Sequence, residues 1–209
     1  MNKNSKYFFV AIPLLFAVGN PAVAHDNGWY MAADLGYAKF NQTATYAQPP
    51  KIEPVPDESG GGYRIGGGYS FTRYFALEIS YMDAGHTDIG PDAVLPKFGN
   101  QNRVMRTRGV TLDAVGTLAL SNAVDIYMRA GVISATTEHK LFATGSNIQS
   151  GPDLMEHDTR AGVGAGVAYK LDENWTLRMQ WQRYFGLGGA EAAARYDLNI
   201  ATLGVAYYY

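Results

Sequence analysis

The sequence predicts an all-β chain folded as an eight-stranded antiparallel up-and-down transmembrane β-barrel. Apolar residues recur with period 2 in short segments separated by clusters of Gly, Pro, Asn and Asp, which is the periodicity of strands. One face of each segment is large and apolar, and the other is small or charged. After Ala24 no uncharged stretch approaches the roughly 20 residues that a spanning helix needs.

The segments follow in order. In 28–40, Trp29, Met31, Leu35 and Tyr37 alternate with Ala32, Asp34, Gly36 and Ala38. A Gly-rich segment, 63–71, carries Arg64. In 74–82, Phe75, Leu77, Ile79 and Tyr81 oppose Ala76, Glu78 and Ser80. Asp113 lies on the small face of 110–118, and Asp125 and Arg129 lie on that of 124–132. In 160–170, Val163, Ala165 and Val167 oppose Arg160, Gly162, Gly164, Gly166 and Ala168. Segment 175–182 sets Trp175, Leu177 and Met179 against Arg178, Gln180 and Gln182, and 199–209 sets Leu203, Val205 and Tyr207 against Thr202, Gly204 and Ala206. Glycines and alanines in a row cannot fill a soluble core. The large face therefore belongs against lipid and the small, charged face inside a narrow barrel. Closure follows, because an open sheet edge in hydrocarbon leaves unpaired backbone groups.

Connections fall into two classes. Thr72-Arg73, Ser121-Asn122-Ala123 and Asp172-Glu173-Asn174 are tight turns, whereas 41–62, 83–103, 137–157 and 186–195 read as long loops. Short periplasmic turns and long outer loops are the outer-membrane arrangement. Trp29, Tyr69, Phe71, Tyr74, Trp175, Tyr207 and Tyr209 sit near strand ends, where interfacial aromatic girdles belong.

The chain of 209 residues suits one domain, and its formal charge of −2 argues against nucleic acid as a partner. Without cysteine it has no disulfides, thiol catalysis or Cys-based zinc site. Residues 1–24 read as a secretory signal peptide: Lys3 and Lys6, an apolar run from Tyr7 to Val18, a break at Gly19-Asn20-Pro21, and Ala22-Val23-Ala24 before His25. The mature barrel is expected over 25–209. Cleavage removes two of the 17 basic residues and none of the 19 acidic ones, taking the charge to −4.

Several short motifs then line up in strand order: Gly28-Trp29-Tyr30 leading to Leu35-Gly36-Tyr37, Gly67-Gly68-Tyr69 before Glu78, Gly109-Val110 with Leu112, Asp125-Ile126-Tyr127 with Arg129, His157-Asp158-Thr159, and Leu203-Gly204-Val205 with Tyr207. This series resembles the N-terminal barrel of the outer membrane protein A family, with no counterpart of that family's periplasmic peptidoglycan-binding domain. The resemblance implies a Gram-negative outer-membrane location and a lumen charge network in which Glu78 pairs with Arg178, with Arg129 as a further interior arginine. The positions of the family's gate lysine and second glutamate carry Val115 and Ala168. Tyr209 stands where such barrels carry a terminal aromatic read by the assembly machinery.

The pleat independently places Asp34, Glu78, Asp113, Asp125, Arg64, Arg129, Arg160 and Arg178 in the lumen, where charges must be paired. The expected function is a structural and surface-interaction role, with four outer loops on a side-chain-plugged barrel and Ile89, Leu95, Phe98, Leu141 and Phe142 available to a loop-binding partner. The alternatives are a low-conductance pore for ions or very small solutes and, third, an outer-membrane lipid-modifying enzyme. The histidines (His25, His86, His139 and His157) form no H-x-S strand pair, Asp83, His86 and Asp88 read as solvated loop groups, and no phosphate-cradling motif is present, so no catalytic site, metal site or cofactor is expected. Outer-membrane lipids and the assembly machinery are the expected partners of a monomer.

Overall fold

A computed structural model describes residues 27–42, 58–89, 101–143, 154–188 and 196–209. It contains eight strands: β1 (Gly28–Gln42), β2 (Glu58–Thr72), β3 (Phe75–Ile89), β4 (Gln101–Ala119), β5 (Val124–Ala143), β6 (Leu154–Lys170), β7 (Trp175–Leu187) and β8 (Tyr196–Tyr208). Each pairs antiparallel with its sequence neighbours, and β1 pairs with β8 to close the barrel. The signal peptide expected over 1–24, His25, Leu95 and Phe98 lie outside the described residues.

The short turns are set by side chains that accept the backbone donors the ladder leaves over. Thr72 Oγ1 accepts the N–H groups of Tyr74 and Phe75, both at 3.2 Å. Ser121 Oγ accepts those of Ala123 and Val124, and Asp172 Oδ1 those of Asn174 and Trp175. The first turn centres on Arg73-Tyr74, one residue later than the sequence pattern indicated. All three turns lie at one end of the barrel, together with Gly28 and Tyr209, and mark it as periplasmic.

The faces sort by parity. Leu35 is 73% exposed and Met179 60% exposed, whereas Asp34 and Arg178 on the opposite pleat are buried. Near the periplasmic end the outer aromatics form chains of contacts, Trp29 to Tyr69 to Phe71 at 5.0 and 5.1 Å, and Trp175 to Tyr207 to Tyr209 at 5.0 and 5.2 Å. The inward glycines make room for rings reaching across from neighbouring strands. A Cβ on Gly68 would lie 2.5 Å from the Tyr30 ring, one on Gly166 2.4 Å from Tyr127, and one on Gly162 2.4 Å from Tyr184.

The strands extend past the boundaries read from sequence. Residues assigned to long loops, among them Ile89, Leu141 and Phe142, belong to β3 and β5, and Gly60-Gly61-Gly62 lies within β2. Asp83, His86 and Asp88 are strand residues of β3, and His139 and His157 belong to β5 and β6. The reason is an inversion of pattern. Toward the extracellular end, Ala38, Phe40, Met82, Ala84, Met105, Ile133, Ala135, Tyr184, Leu187, Tyr196, Leu198 and Ile200 fill the interior as an apolar cluster. Lys39, Arg106, Arg108, Glu138, Lys140 and Arg183 occupy the alternate positions of the same strands. A search for apolar-out alternation stops where the pattern turns over.

Met179 pairs with Val167 and Leu203, both outward and apolar, so it sits within the lipid-facing band. Met179→Arg is expected to destabilise the inserted barrel by about 2–4 kcal/mol, measured by reversible unfolding from bilayers.

Candidate functional site

The lumen is built in three tiers. At the periplasmic end Tyr30, Ala32, Ala76, Val115, Tyr127 and Ala206 pack together. Above them lies the charge cluster, and above that the apolar cluster.

Six of the eight charged residues assigned to the lumen meet in the middle tier: Asp34 from β1, Arg64 from β2, Glu78 from β3, Asp113 from β4, Arg129 from β5 and Arg178 from β7. Arg178 grips Asp34 with both edges of its fork, Nε to Oδ1 at 2.7 Å and Nη2 to Oδ2 at 2.6 Å, and sends Nη1 to Glu78 Oε2 at 2.9 Å. Glu78 Oε1 accepts Arg129 Nη2 at 2.6 Å and lies 3.2 Å from Arg64 Nη2. Arg64 Nη2 donates to Asp113 Oδ2 at 2.5 Å, and Arg129 lies 3.6 Å from the same oxygen. Three carboxylates thus face three guanidiniums. A carboxylate shared among several arginines is bound firmly in each of them, and formal neutrality limits the desolvation cost of burying the group.

Sequence reasoning placed Gln180 and Gln182 inward without assigning them a role. They are the neutral connectors of the cluster. Gln180 Oε1 accepts Arg129 Nη1 at 2.6 Å and Tyr127 Oη at 3.2 Å, while its Nε2 donates to Asp34. Gln182 Oε1 accepts Arg64 Nη1 at 2.5 Å, and its Nε2 donates to Asp113 Oδ1 at 3.0 Å. Ser80 accepts Arg64 Nε, Thr111 accepts Arg64 Nη2, and Tyr30 donates to Glu78 Oε2 at 3.1 Å. Their inward parity was the available signal.

Two predicted members stand apart. Asp125 is buried near the periplasmic end and pairs with Lys170 at 3.0 Å, since two strand turns of pleat separate it from Arg129. Arg160 lies toward the extracellular end of β6, about one-third exposed, and pairs with Asp158 on its own strand at 3.0 Å. Tyr209 is exposed; its N–H donates to the Trp29 carbonyl at 3.1 Å, helping to close the barrel at its seam.

A cavity of about 460 Å³ opens from the periplasmic end and reaches Glu78, Arg129 and Arg178. It is lined by hydroxyls of Tyr30, Tyr127 and Thr176 and by the Lys170 and Asp125 pair. The apolar tier stands across its continuation: Met82, Ile133, Tyr184 and Leu198 are fully buried there. On the outer wall, Thr136 Oγ1 and His157 Nδ1 are 2.9 Å apart as cross-strand neighbours. Among the described residues no carboxylate hydrogen-bonds to that imidazole. Among the same residues no group of three or more His, Asp or Glu is placed to hold a metal ion.

Arg178→Met leaves the Asp34 and Glu78 carboxylates short of their shared partner and is expected to cost about 3–5 kcal/mol. In a double-mutant cycle with Asp34→Asn, the two costs should fall short of additivity by more than about 1 kcal/mol, read by urea unfolding in bilayers. Additive costs would mean the fork contact contributes nothing.

The comparisons with known proteins agree with this architecture. The family model of the OmpA-like transmembrane domain matches residues 24–209. The chain is 29% identical over 201 residues to outer membrane protein A of Serratia marcescens, covering 92% of this chain and 52% of that protein. It is 27% identical over 195 residues to outer membrane protein A of Shigella flexneri, covering 92% and 51%. The chain therefore spans about half the length of the curated relatives it matches. In structure it is similar to neisserial surface protein A, with a TM-score of 0.61 at 16% identity over 87% of this chain and 97% of that one. It is also similar to the outer membrane protein OprG of Pseudomonas aeruginosa, with a TM-score of 0.57 at 14% identity over 89% and 98%. With its closed eight-stranded barrel, its lipid-facing band and a family match across almost its whole length, the chain belongs to the OmpA-like transmembrane domain family and is a barrel of the Gram-negative outer membrane.

Proposed function

We propose that the protein is a closed, non-enzymatic barrel whose role is structural and surface-interactive. It acts as a monomeric anchor in outer-membrane lipid that presents its extracellular connections to a partner. The observation that carries the reading is the double plug. A neutral cluster of six charged side chains fills the middle of the lumen, and an apolar tier fills the space above it. Dehydrated apolar side chains offer an ion no replacement for its water, so the upper tier is a barrier even where the charge cluster admits water. The extended strands support the presentation role. β4 and β5 are 19 and 20 residues long, about twice what crosses the hydrocarbon, and their ladder runs unbroken from Ala119 and Asp125 to Gln101 and Ala143. They carry the strand ends at Gln101 and Ala143 beyond the hydrocarbon on a continuous wall.

The second reading is a low-conductance pore. It is favoured by the periplasmic cavity, which opens as far as Glu78, Arg129 and Arg178.

Planar-bilayer recording separates the two. The wild-type barrel is expected to be electrically silent, and the combined variant Tyr184→Ala with Leu198→Ala, which thins the apolar tier and leaves the charge cluster intact, is expected to conduct. Steady conductance of the wild type would replace the plug reading with the pore.

The exposed Tyr209 is proposed as the recognition element for the assembly machinery. Tyr209→Ala should refold into detergent micelles with unchanged yield yet insert more slowly into membranes containing that machinery. Equal insertion rates would remove this role.

A further inference from the structure

Two seams of the upper wall carry the same irregularity. The register of β3 against β4 shifts by one residue between Asp83 and His86, and that of β7 against β8 shifts likewise between Tyr184 and Leu187. β4 with β5, β5 with β6, β8 with β1 and β1 with β2 run without a shift among the described residues. At the same points β3 and β7 reach the end of their other ladder: β2 with β3 stops at Tyr63 and Asp83, and β6 with β7 stops at Gly162 and Tyr184. β3 and β7 stand four places apart in a ring of eight, on opposite walls.

Each bulge is closed by the same three groups. An extra residue in one strand leaves a backbone N–H without a ladder partner. Asp83 Oδ1 accepts that of Gly85 at 2.9 Å, and Asp197 Oδ1 accepts that of Gly186 at 2.8 Å. Both glycines have positive φ, +76 and +63, a conformation that favours glycine over any side chain. The second carboxylate oxygen takes an arginine from across the seam. Asp83 Oδ2 accepts Arg106 Nε at 3.1 Å as well as Nη2, and Asp197 Oδ2 accepts Arg183 Nε at 3.2 Å and Nη2 at 2.5 Å. In the first clasp the aspartate belongs to the bulged strand and the arginine to its neighbour, and in the second the roles are exchanged.

The clasps are tied to the lumen. Asp83 and Asp197 have outward parity yet are buried, each between two side chains of the apolar tier: Met82 and Ala84 flank the first, Tyr196 and Leu198 the second. Tyr184 and Leu187, on either side of the β7 bulge, both belong to that tier. A buried carboxylate stays charged at tolerable cost only with its guanidinium in place, so loss of a clasp is felt by the plug residues beside it.

We propose that the upper ends of β3 and β7 are the movable parts of the apolar plug, locked shut by the clasps of Asp83 with Arg106 and Asp197 with Arg183. The inference rests on the reading of the lumen as plugged. With both clasps released, Met82 and Ala84 on one wall and Tyr184 and Leu187 on the other lose what fixes them inward, and the tier opens while the charge cluster below stays assembled.

The test uses the full chain and the double variant Asp83→Asn with Asp197→Asn, which keeps an acceptor for each glycine N–H and removes the charge that holds each arginine. In lipid nanodiscs, amide hydrogen exchange at 86–89, 187 and 196–198 is expected to rise about tenfold over wild type, the effect of losing two partly exposed ion pairs, with the amides of Glu78 and Arg178 unchanged. In planar bilayers the double variant should show openings that the wild type lacks. Glu138→Gln breaks the pair with Arg108, which crosses the unshifted seam of β4 and β5, and should change neither readout. Unchanged exchange above the bulges in the double variant, or an equal rise in Glu138→Gln, would overturn the proposal. Should the double variant not fold, exchange in the wild type decides. Amides above both bulges that open together, ahead of the middle tier, support the clasps, and equal protection of the two tiers overturns them. Steady conductance of the wild type would remove the plug reading and the clasps with it, whereas silence of both wild type and double variant with unchanged exchange removes the clasps alone.

Discussion

In hydrocarbon a backbone N–H or C=O without a partner has no water to turn to, and every other feature of this molecule follows from that constraint. The ladders of β1 to β8 satisfy the groups of each strand, and the pairing of Tyr30 with Tyr208 through Gln42 with Tyr196 removes the edge that would otherwise remain. Closing with eight strands fixes a narrow interior. That interior cannot admit a column of large side chains from every strand, so bulky groups from some strands must lie over glycines of their neighbours. Tyr30 over Gly68 and Tyr127 over Gly166 are the result.

Confinement also dictates the chemistry of the centre. Charges held in a narrow lumen are tolerated only when matched in number and fully hydrogen-bonded. Asp34, Glu78 and Asp113 against Arg64, Arg129 and Arg178 meet the first condition, and Gln180, Gln182, Ser80, Thr111 and Tyr30 go most of the way to the second, leaving Arg129 Nε without a partner among the described residues. Arginine suits such a cluster better than lysine, since one planar fork contacts two carboxylates at once, as Arg178 does with Asp34 and Glu78. Val115 and Ala168 stand at the positions where the family resemblance placed a lysine and a second glutamate. Val115 packs with the periplasmic apolar group and Ala168 lies against it, so neither position adds a charge to the centre.

The strand count, the lipid face and the inward side of each strand were legible in the sequence because each rests on parity, and parity is written residue by residue. What parity does not carry is height. It placed Asp125 and Arg160 correctly on the inner face, but whether an inward charge reaches the cluster depends on the shear between strands, which sets Arg129 opposite Val115 and Arg178 opposite Gly204. Nor does it carry the partners of neutral groups: nothing in the spelling of Gln180 says that its amide bridges Arg129 to Asp34.

The strand ends were misread for a further physical reason. Within the lipid the barrel is apolar outside and polar inside, and above it the solvent outside is water, so the favourable arrangement reverses. Met105 and Ile133 turn inward on the same strands whose outward positions carry Arg106 and Glu138. The upper part of the wall is therefore organised like a small soluble barrel with its own core, stacked coaxially on a membrane barrel and sharing its strands. The height of the reversal marks the lipid boundary. It falls between the row of Tyr81 and Val110 and the row of His86 and Arg106, with the Gly85 bulge between them. The same transition thus turns apolar side chains inward and charged ones outward at one height. The interior apolar tier and the charged outer positions at the same height are consequences of one change of solvent.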